Sequence, residues 1–542
     1  MRGLVLFALL AVALPGAKRT SLIVLSTTDL HGNIYPVDYA TDKSDERGLA
    51  KAATVIERVR REGAPVLLVN CGDTLAGTAL AYHHATRNPR SPEPMMAAMN
   101  RLRFDAMVVG NHEYDFGWEA LESARQQAEF PWLAANVYFK GSERTFFEPY
   151  VVRVVGGVRV GILGLTTTAV PNWDDPARYL SRIDLRDPLP EAARWVKKLR
   201  ESERVDVVVA AMHMGLEEDP STGERIPGQL AGENRALAIA RQVPGIDLML
   251  LGHTHREVVS LVVNGVLLMQ PAVWGRSVAR ADLMLEKTDG RWRVVSKTAR
   301  SLPVAGVEPD AEILAGASAE HSATEQWLSE VVGQSDVELR AGEERFGDSA
   351  LLDMVHRVQL EAGGADVSLA ESVNPTARIP QGAVTVRDLF GLFAIEKKLV
   401  TLDVTGRQLR EALEHSARYF RGVVEGKGPE AWVDPKAPNY NYYIAEGVSY
   451  ELDVSRPVGE RIRNLRWAGK EVRDDQHFRL ATNNYLANGA AGYVMFQGAK
   501  VLGRSQKDLR ELLVDWARRT GRLRPVADGN WRLLPETAGL RP

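Results

Sequence analysis

Five short stretches of this chain end in side chains that bind metals or move protons. SLIVLSTTDLHG ends in Asp29-x-His31, and PVLLVNCGDT carries Gly72-Asp73. DAMVVGNHEYD ends in Asn111-His112-Glu113-x-Asp115, DVVVAAMHMG in His213, and IDLMLLGHTH in His253-x-His255. A lone Asp-x-His is common by chance, and a lone loop histidine is more often solvated than ligating. Five such ends in one chain form a pattern. Of the 11 histidines, the other six (His83, His84, His321, His356, His415, His477) lie in helix-like or surface-like segments and are read as structural or solvent-facing. Histidine, Asp and Asn suit a Zn, Mn or Fe type cation better than Mg²⁺ or Ca²⁺, which want mostly oxygen. The set is too large for one tetrahedral ion. Two divalent cations about 3.5–4 Å apart, joined by a carboxylate, would use it, and such pairs clamp phosphoryl displacements. Two dications bring four positive charges and Asp29 and Asp73 return two, so the site would keep a positive excess suited to a phosphate anion.

These side chains need elements to hold them. Each precedes or follows a run rich in Val, Ile, Leu or Met without clear alternation, the pattern of a strand covered on both faces. Between the runs, residues 47–62 and 188–201 place apolar side chains at helical spacing. Strands alternating with helices predict an α/β domain whose ligands gather outside the carboxyl ends of the strands.

The whole chain, at 542 residues, is long for one core, so two domains are expected. It is 45% hydrophobic and 25% charged with a net charge of −3, which argues against nucleic-acid binding as the main activity. Residues 1–17 have a basic residue, Arg2, then an apolar run from Leu4 to Leu14, and read as a secretory signal peptide cut after Ala17. A buried N-terminal strand or helix is the plainer alternative. Export to the periplasm or medium is therefore expected, without stable membrane insertion, since no later run is apolar enough to span a bilayer. Cys71 is the sole cysteine, so no intramolecular disulfide forms, and it reads as a small buried residue.

The blocks TTDLHGNIYP, NCGDT, GNHEYDFG, MHMG and LGHTH resemble, in order, the signatures of the calcineurin-like metallophosphoesterases. Their arrangement is similar to the exported 5′-nucleotidase and 2′,3′-cyclic-nucleotide 2′-phosphodiesterase family. The resemblance implies an α/β fold: a four-layer α/β/β/α sandwich over 20–300, a linker helix within 301–347, and a smaller mixed α+β substrate-binding domain over 348–542. It implies that Asp29, His31 and His255 hold one cation, that Asn111, His213 and His253 hold the other, and that Asp73 bridges both. His112 would stand beside the substrate phosphate as the catalytic imidazole, oriented by Asp115, while metal-activated water attacks phosphorus. Glu113 is given no role and is read as structural. A fold that kept its shape and lost its chemistry would not be expected to retain all these positions.

In the second half, NYNYYIAEGVSYELD and TNNYLANGAAGYVMF place Tyr442 and Tyr485 where the family clamps a nucleotide base between two rings, and NPTARIP places Arg378 where a family arginine lies near the phosphate. Two departures bear on substrate. The family's Asn-Gly-Gly-Asp-Gly-Phe/Tyr reads NGAAGY here, with Ala491 in place of the Asp that binds ribose hydroxyls. The Pro-Phe-x-Asn segment is replaced by Ala394-Ile395-Glu396-Lys397. Losing that Asp favours 2′,3′-cyclic nucleotides and 3′-nucleotides, whose 2′ and 3′ oxygens carry phosphate. A broad 5′-nucleotidase or UDP-sugar hydrolase is the alternative. The family's thiosulfohydrolase branch would need no base clamp. A nucleotide-binding surface protein without turnover would keep the tyrosines but need neither Asp73 nor His112. Nucleotides are the expected partners, a nucleic-acid duplex is not, and a monomer whose domains close over substrate is expected.

Overall fold

Along the strand Arg19–Thr27, neighbouring side chains enter different cores. Leu22 and Val24 join one apolar cluster, and Ile23 and Leu25 another. Successive residues of a strand point to opposite faces, so a strand buried on both faces must read as an unbroken apolar run. Val207–His213 behaves in the same way. Val207, Val209 and Ala211 share the cluster of Leu22 and Val24, while Val208, Ala210 and Met212 pack with Ala192, Trp195 and Leu199 of the helix Pro188–Glu201. The middle cluster is thus sandwiched between two sheets. Helices cover both outer faces, giving the four-layer α/β/β/α architecture.

These features come from a computed structural model that describes residues 18–170, 179–226, 229–230, 232–393 and 396–536. The 1–17 segment read as an export signal lies outside the described residues, as do Ala394 and Ile395.

In the first sheet, Arg19–Thr27, Val66–Asn70, Ala106–Val108 and Trp132–Leu133 run parallel, and the antiparallel strands Ser277–Thr288 and Arg291–Pro303 complete its other edge. In the second sheet, Val158–Thr166, Val207–His213, Leu248–Leu250 and Val266–Gln270 are parallel, flanked by antiparallel Tyr150–Val155 and Val258–Val263. The two predicted helices form, over Leu49–Arg60 and Pro188–Glu201. The second starts with Asp187 accepting from Leu189 N and with Pro188 at its first position, where a missing N–H costs nothing.

The linker is shorter than the expected 301–347. Its helical part is two helices, Ala311–Gly316 and Ser318–Leu328. The strand Val331–Ser335 already belongs to the second domain, where it pairs with Gly382–Thr385 and Arg522–Leu523. Such a short strand, with Gly333 and Gln334 inside it, carries too little alternation to be distinguished from linker. The second domain is built around a five-stranded sheet, with Val367–Glu371, Lys398–Thr405 and His477–Asn483 at its centre.

The two domains meet through aromatic rings. Tyr82, on the first-domain helix Ala79–Arg87, packs against Phe390 (ring centroids 5.0 Å apart) and Trp327 (6.0 Å), and its hydroxyl donates to Glu511 at 3.0 Å. The Arg510 guanidinium lies 5.2 Å from the Tyr82 ring and 4.4 Å from Phe390. It also pairs with Glu396 at 2.9 Å.

Candidate metal centre and substrate face

The ligand-type residues all leave the carboxyl ends of parallel strands, and the backbone there is bent sharply. Asp29 (φ 48°), His31 (48°), Asp73 (54°), His253 (73°) and His255 (55°) all adopt left-handed conformations without being glycine. Each costs roughly 1–2 kcal/mol, which the surrounding packing must hold. Glycines give the side chains room. A Cβ on Gly72 would come within 2.7 Å of the His213 ring, and one on Gly110 would strike the Asp73 carboxylate.

Hydrogen bonds fix which ring nitrogens face inward. His31 Nδ1 donates to Ala76 O (2.8 Å) and His213 Nδ1 donates to Cys71 O (2.6 Å). Each therefore turns its Nε2 lone pair toward the cluster. His31 Nε2 lies 3.1 Å from His255 Nε2, and His213 Nε2 lies 3.0 Å from Asn111 Oδ1 and 3.1 Å from Asp73 Oδ2. His255 Nε2 is 3.4 Å from Asp29 Oδ1. Ligand-type atoms of Asp29, His31, Asp73 and His255 all lie within 4.8 Å of one another, and so do those of Asp73, His213 and His253. Asp73 is common to both groups. Electron-pair donors converging on two adjacent points, with a carboxylate between them, match the donor chemistry of a divalent metal site. The Asn111 Nδ2 group is buried without a hydrogen-bond partner, which leaves its Oδ1 as the atom aimed at His213.

Charge in this cluster is finely opposed. Burial pulls the Asp29 carboxyl up, but its hydrogen bond to His255 and the nearby imidazoles outweigh this and bring it to about 2. Burial depresses His31 to about 4. Burial also opposes charge on His112, yet Asp115 and Asp73 prevail and raise it to about 10. His112 Nδ1 pairs with Asp115 Oδ2 at 2.7 Å, and its backbone N–H donates to Asp73 Oδ1 at 2.8 Å. Its ring stands 5.3 Å from that of His31. Cys71 is fully buried and its thiol is pushed up to about 12, so it is inert there.

Glu113, left without a role by the motif reading, proves central to the loops. Its carboxylate accepts from Asp73 N (3.0 Å), Thr74 N (2.5 Å) and Gly110 N (2.5 Å), tying the Asp73 turn to the turn that carries Asn111 and His112. A second residue missed by sequence reasoning is Glu233, whose Oε1 lies 2.9 Å from His253 Nε2.

On the second domain, Tyr485 is partly buried, and the Lys397 ammonium lies 5.6 Å from its ring centroid. Lys397 also forms a buried ion pair with Glu371, which accepts from Tyr443 OH at 3.3 Å. Tyr442 requires a correction. It is only 2% exposed, and its ring stacks on Tyr419 with centroids 4.6 Å apart while meeting Phe420 edge-on. It is a core side chain with no face to offer a base. Tyr440, two residues earlier, is 55% exposed. Its hydroxyl adds to the burial that pushes the Tyr485 phenol up, and it lies near Arg256, which follows His255. Arg378 is exposed on the short ladder with Leu339–Arg340, and among the described residues it makes no ion pair or hydrogen bond to the histidine–carboxylate cluster.

Comparison with known proteins follows the same division of the chain. The family model described as calcineurin-like phosphoesterase matches residues 22–257, and that of the 5′-nucleotidase C-terminal domain matches 331–498. The chain is 26% identical to a 2′,3′-cyclic-nucleotide 2′-phosphodiesterase/3′-nucleotidase of Salmonella typhimurium, across 98% of this chain and 91% of that protein. It is 25% identical to a 5′-nucleotidase of Vibrio cholerae, across 88% and 86%. Among solved structures, one from Staphylococcus aureus, described as a provisional 5′-nucleotidase, superposes with a TM-score of 0.84 at 26% identity, covering 95% of this chain and all of the other. By its two matched domains and their order, the chain belongs to the calcineurin-like metallophosphoesterases that carry a 5′-nucleotidase C-terminal domain, and it is a metal-dependent phosphoric ester hydrolase.

Proposed function

We propose that this protein is an exported nucleotide phosphohydrolase that works with two divalent cations and prefers 2′,3′-cyclic nucleotides and 3′-nucleotides. The observation that carries the reading is the pair of ligand clusters sharing Asp73, with the His112–Asp115 pair alongside. Asp29, His31 and His255 would hold one cation, Asn111, His213 and His253 the other, and Asp73 both. Bound there, the cations would lower the pKa of water and offset charge on the phosphoryl oxygens. The chain's own part is to orient and to move one proton. Asp115 fixes the His112 ring through Nδ1, leaving Nε2–H to donate to the phosphoryl group or the departing oxygen.

The substrate domain would supply the base site. Tyr485, partly exposed, and Tyr440, exposed, rather than the buried Tyr442, would provide two-sided stacking, which grips a planar base without strict selection. Ala491 supports the choice of ester, because its methyl group cannot pair with two free ribose hydroxyls. The likeness to the Staphylococcus aureus structure keeps a 5′-nucleotidase as the second reading. The test is phosphate release from 2′,3′-cyclic AMP, 3′-AMP and 5′-AMP with Mn²⁺ and with chelator, diester opening being read by a coupled monoesterase. Preference for the first two substrates supports the proposal, and preference for 5′-AMP selects the second reading. Activity that survives chelation, or none on any substrate, removes both.

A further inference from the structure

The His253 ring is held from outside the ligand cluster. Its Nε2 lies 2.9 Å from Glu233 Oε1, with side-chain exposures of 7% and 13%. An ionised carboxylate only accepts, so Nε2 carries the proton and Nδ1 is the nitrogen left in ligating form. We propose that Glu233 is a positioning residue that sets the tautomer and orientation of His253, and with them the affinity of the cation site formed by Asn111, His213, His253 and Asp73. The inference rests on the two-cation reading above.

Glu233 is itself fixed on three sides. Its Oε2 accepts from Leu230 N at 2.6 Å, so neither oxygen can turn away without losing a bond. Its backbone carbonyl accepts from Thr167 Oγ1 at 2.8 Å, and Thr167 N donates to His213 O at 3.0 Å. The neighbouring Asn234 accepts from Gly215 N at 2.6 Å. This loop is therefore stitched to the strand end that carries His213. At the other end of the residue, His253 N donates to both oxygens of Asp29 at 3.1 Å. The amide is thus held by one carboxylate and the ring by another. Glu233 is outside the group formed by Asp73, His213 and His253 within 4.8 Å, so it acts on the ring rather than as a fourth ligand there. Carboxylates placed behind ligating histidines typically alter metal affinity by roughly 10- to 100-fold.

The test compares wild type, Glu233→Ala and Glu233→Gln by Mn²⁺ titration calorimetry on metal-free protein and by metal content after dialysis. In Glu233→Gln the amide has one accepting oxygen for two donors. If its NH₂ turns to His253, the imidazole must move its proton to Nδ1 and lose that ligand atom. The expected result is two cations per wild-type chain, and one site weakened roughly 10- to 100-fold in both variants with the other unchanged. Glu233→Ala should add no further loss in a His253→Ala background. Melting of the metal-free proteins serves as the folding control. If Glu233→Ala melts early, Glu233→Gln, which preserves side-chain size, decides. Wild-type affinities at both sites in the variant overturn the proposal, as does equal weakening of both sites. Fewer than two cations on the wild type would instead overturn the reading on which it rests.

Discussion

At the scale of single residues, the proposed roles separate groups that would hold metal from a group that would handle a proton. His112 lies next to the proposed ligand Asn111 in sequence, yet its ring is turned to Asp115 and its amide to Asp73. His112→Asn should therefore lower kcat by roughly 10²–10⁴-fold, the usual contribution of a positioned acid or base, while metal content stays at the wild-type level. Loss of both cations in that variant would assign the ring to the ligand set. The tyrosines divide in the same way. Tyr440→Ala should raise KM for nucleotides roughly 5- to 150-fold, from about 1–3 kcal/mol of lost stacking, and spare a small aryl phosphate. Tyr442→Ala should instead act on the fold, because it empties a packed site between Tyr419 and Phe420, and the loss should be roughly 3–5 kcal/mol by denaturant melting. An unchanged melt with a raised KM for Tyr442→Ala would restore it to the clamp.

At the scale of elements, the helix Ala350–Gly363 carries a histidine whose role is wholly structural. His356 Nδ1 faces Ser368 Oγ at 2.9 Å, and that hydroxyl donates to Gln359 Oε1, so Nδ1–H must be the donor. Its Nε2 is buried without a partner, and burial depresses the ring to about 3. A depressed histidine contributes full stability above its unfolded pKa of about 6.5. Below that pH the unfolded chain takes up a proton that the folded ring refuses. Stability should then fall by up to about 1.4 kcal/mol per pH unit as pH drops from about 6.5 toward 3. His356→Leu should flatten this decline between pH 7 and 5 when urea midpoints are compared, and a parallel decline in both proteins would refute the assignment. The same scale decides what was legible in the sequence. Strands buried on both faces declare themselves as apolar runs, so Arg19–Thr27 and Val207–His213, and the ligand-type side chains that gather at their ends, could be read directly. Tyr440 lies inside a 3-10 turn, Asn439–Asn441, and Tyr442 directly follows it, so alternation fails there and nothing local says which ring is buried. Glu113 and Glu233 act by accepting backbone or ring N–H groups across loops, a role that no spacing rule encodes.

At the scale of the whole molecule, the question is whether the metal domain and the substrate domain unfold as one. Five ligand-type residues hold left-handed backbone, and acceptor atoms crowd around Asp73, so the first domain should gain substantially from cations that relieve this crowding. Binding at 100 times Kd adds about 2.7 kcal/mol per site to the folded state. In a chain larger than 250 residues this should raise Tm by about 2–4 °C per kcal/mol or somewhat less. Mn²⁺ against chelator should thus move the calorimetric transition by several degrees. The apolar cluster that contains Ile23 and Leu25 continues through Tyr82, Trp327 and Phe390 to Leu509 and Leu513 without a break. A substrate domain sharing that core should be carried with the metal domain, so one transition is expected and it should shift as a unit. Tyr82→Ala, which removes the ring common to Trp327, Phe390 and Arg510, should split it into a metal-sensitive and a metal-insensitive transition. Two transitions in the wild type, only one responding to Mn²⁺, would mean that the shared aromatic contact is too weak to couple the domains. Closure over substrate would then be a movement between independently stable bodies.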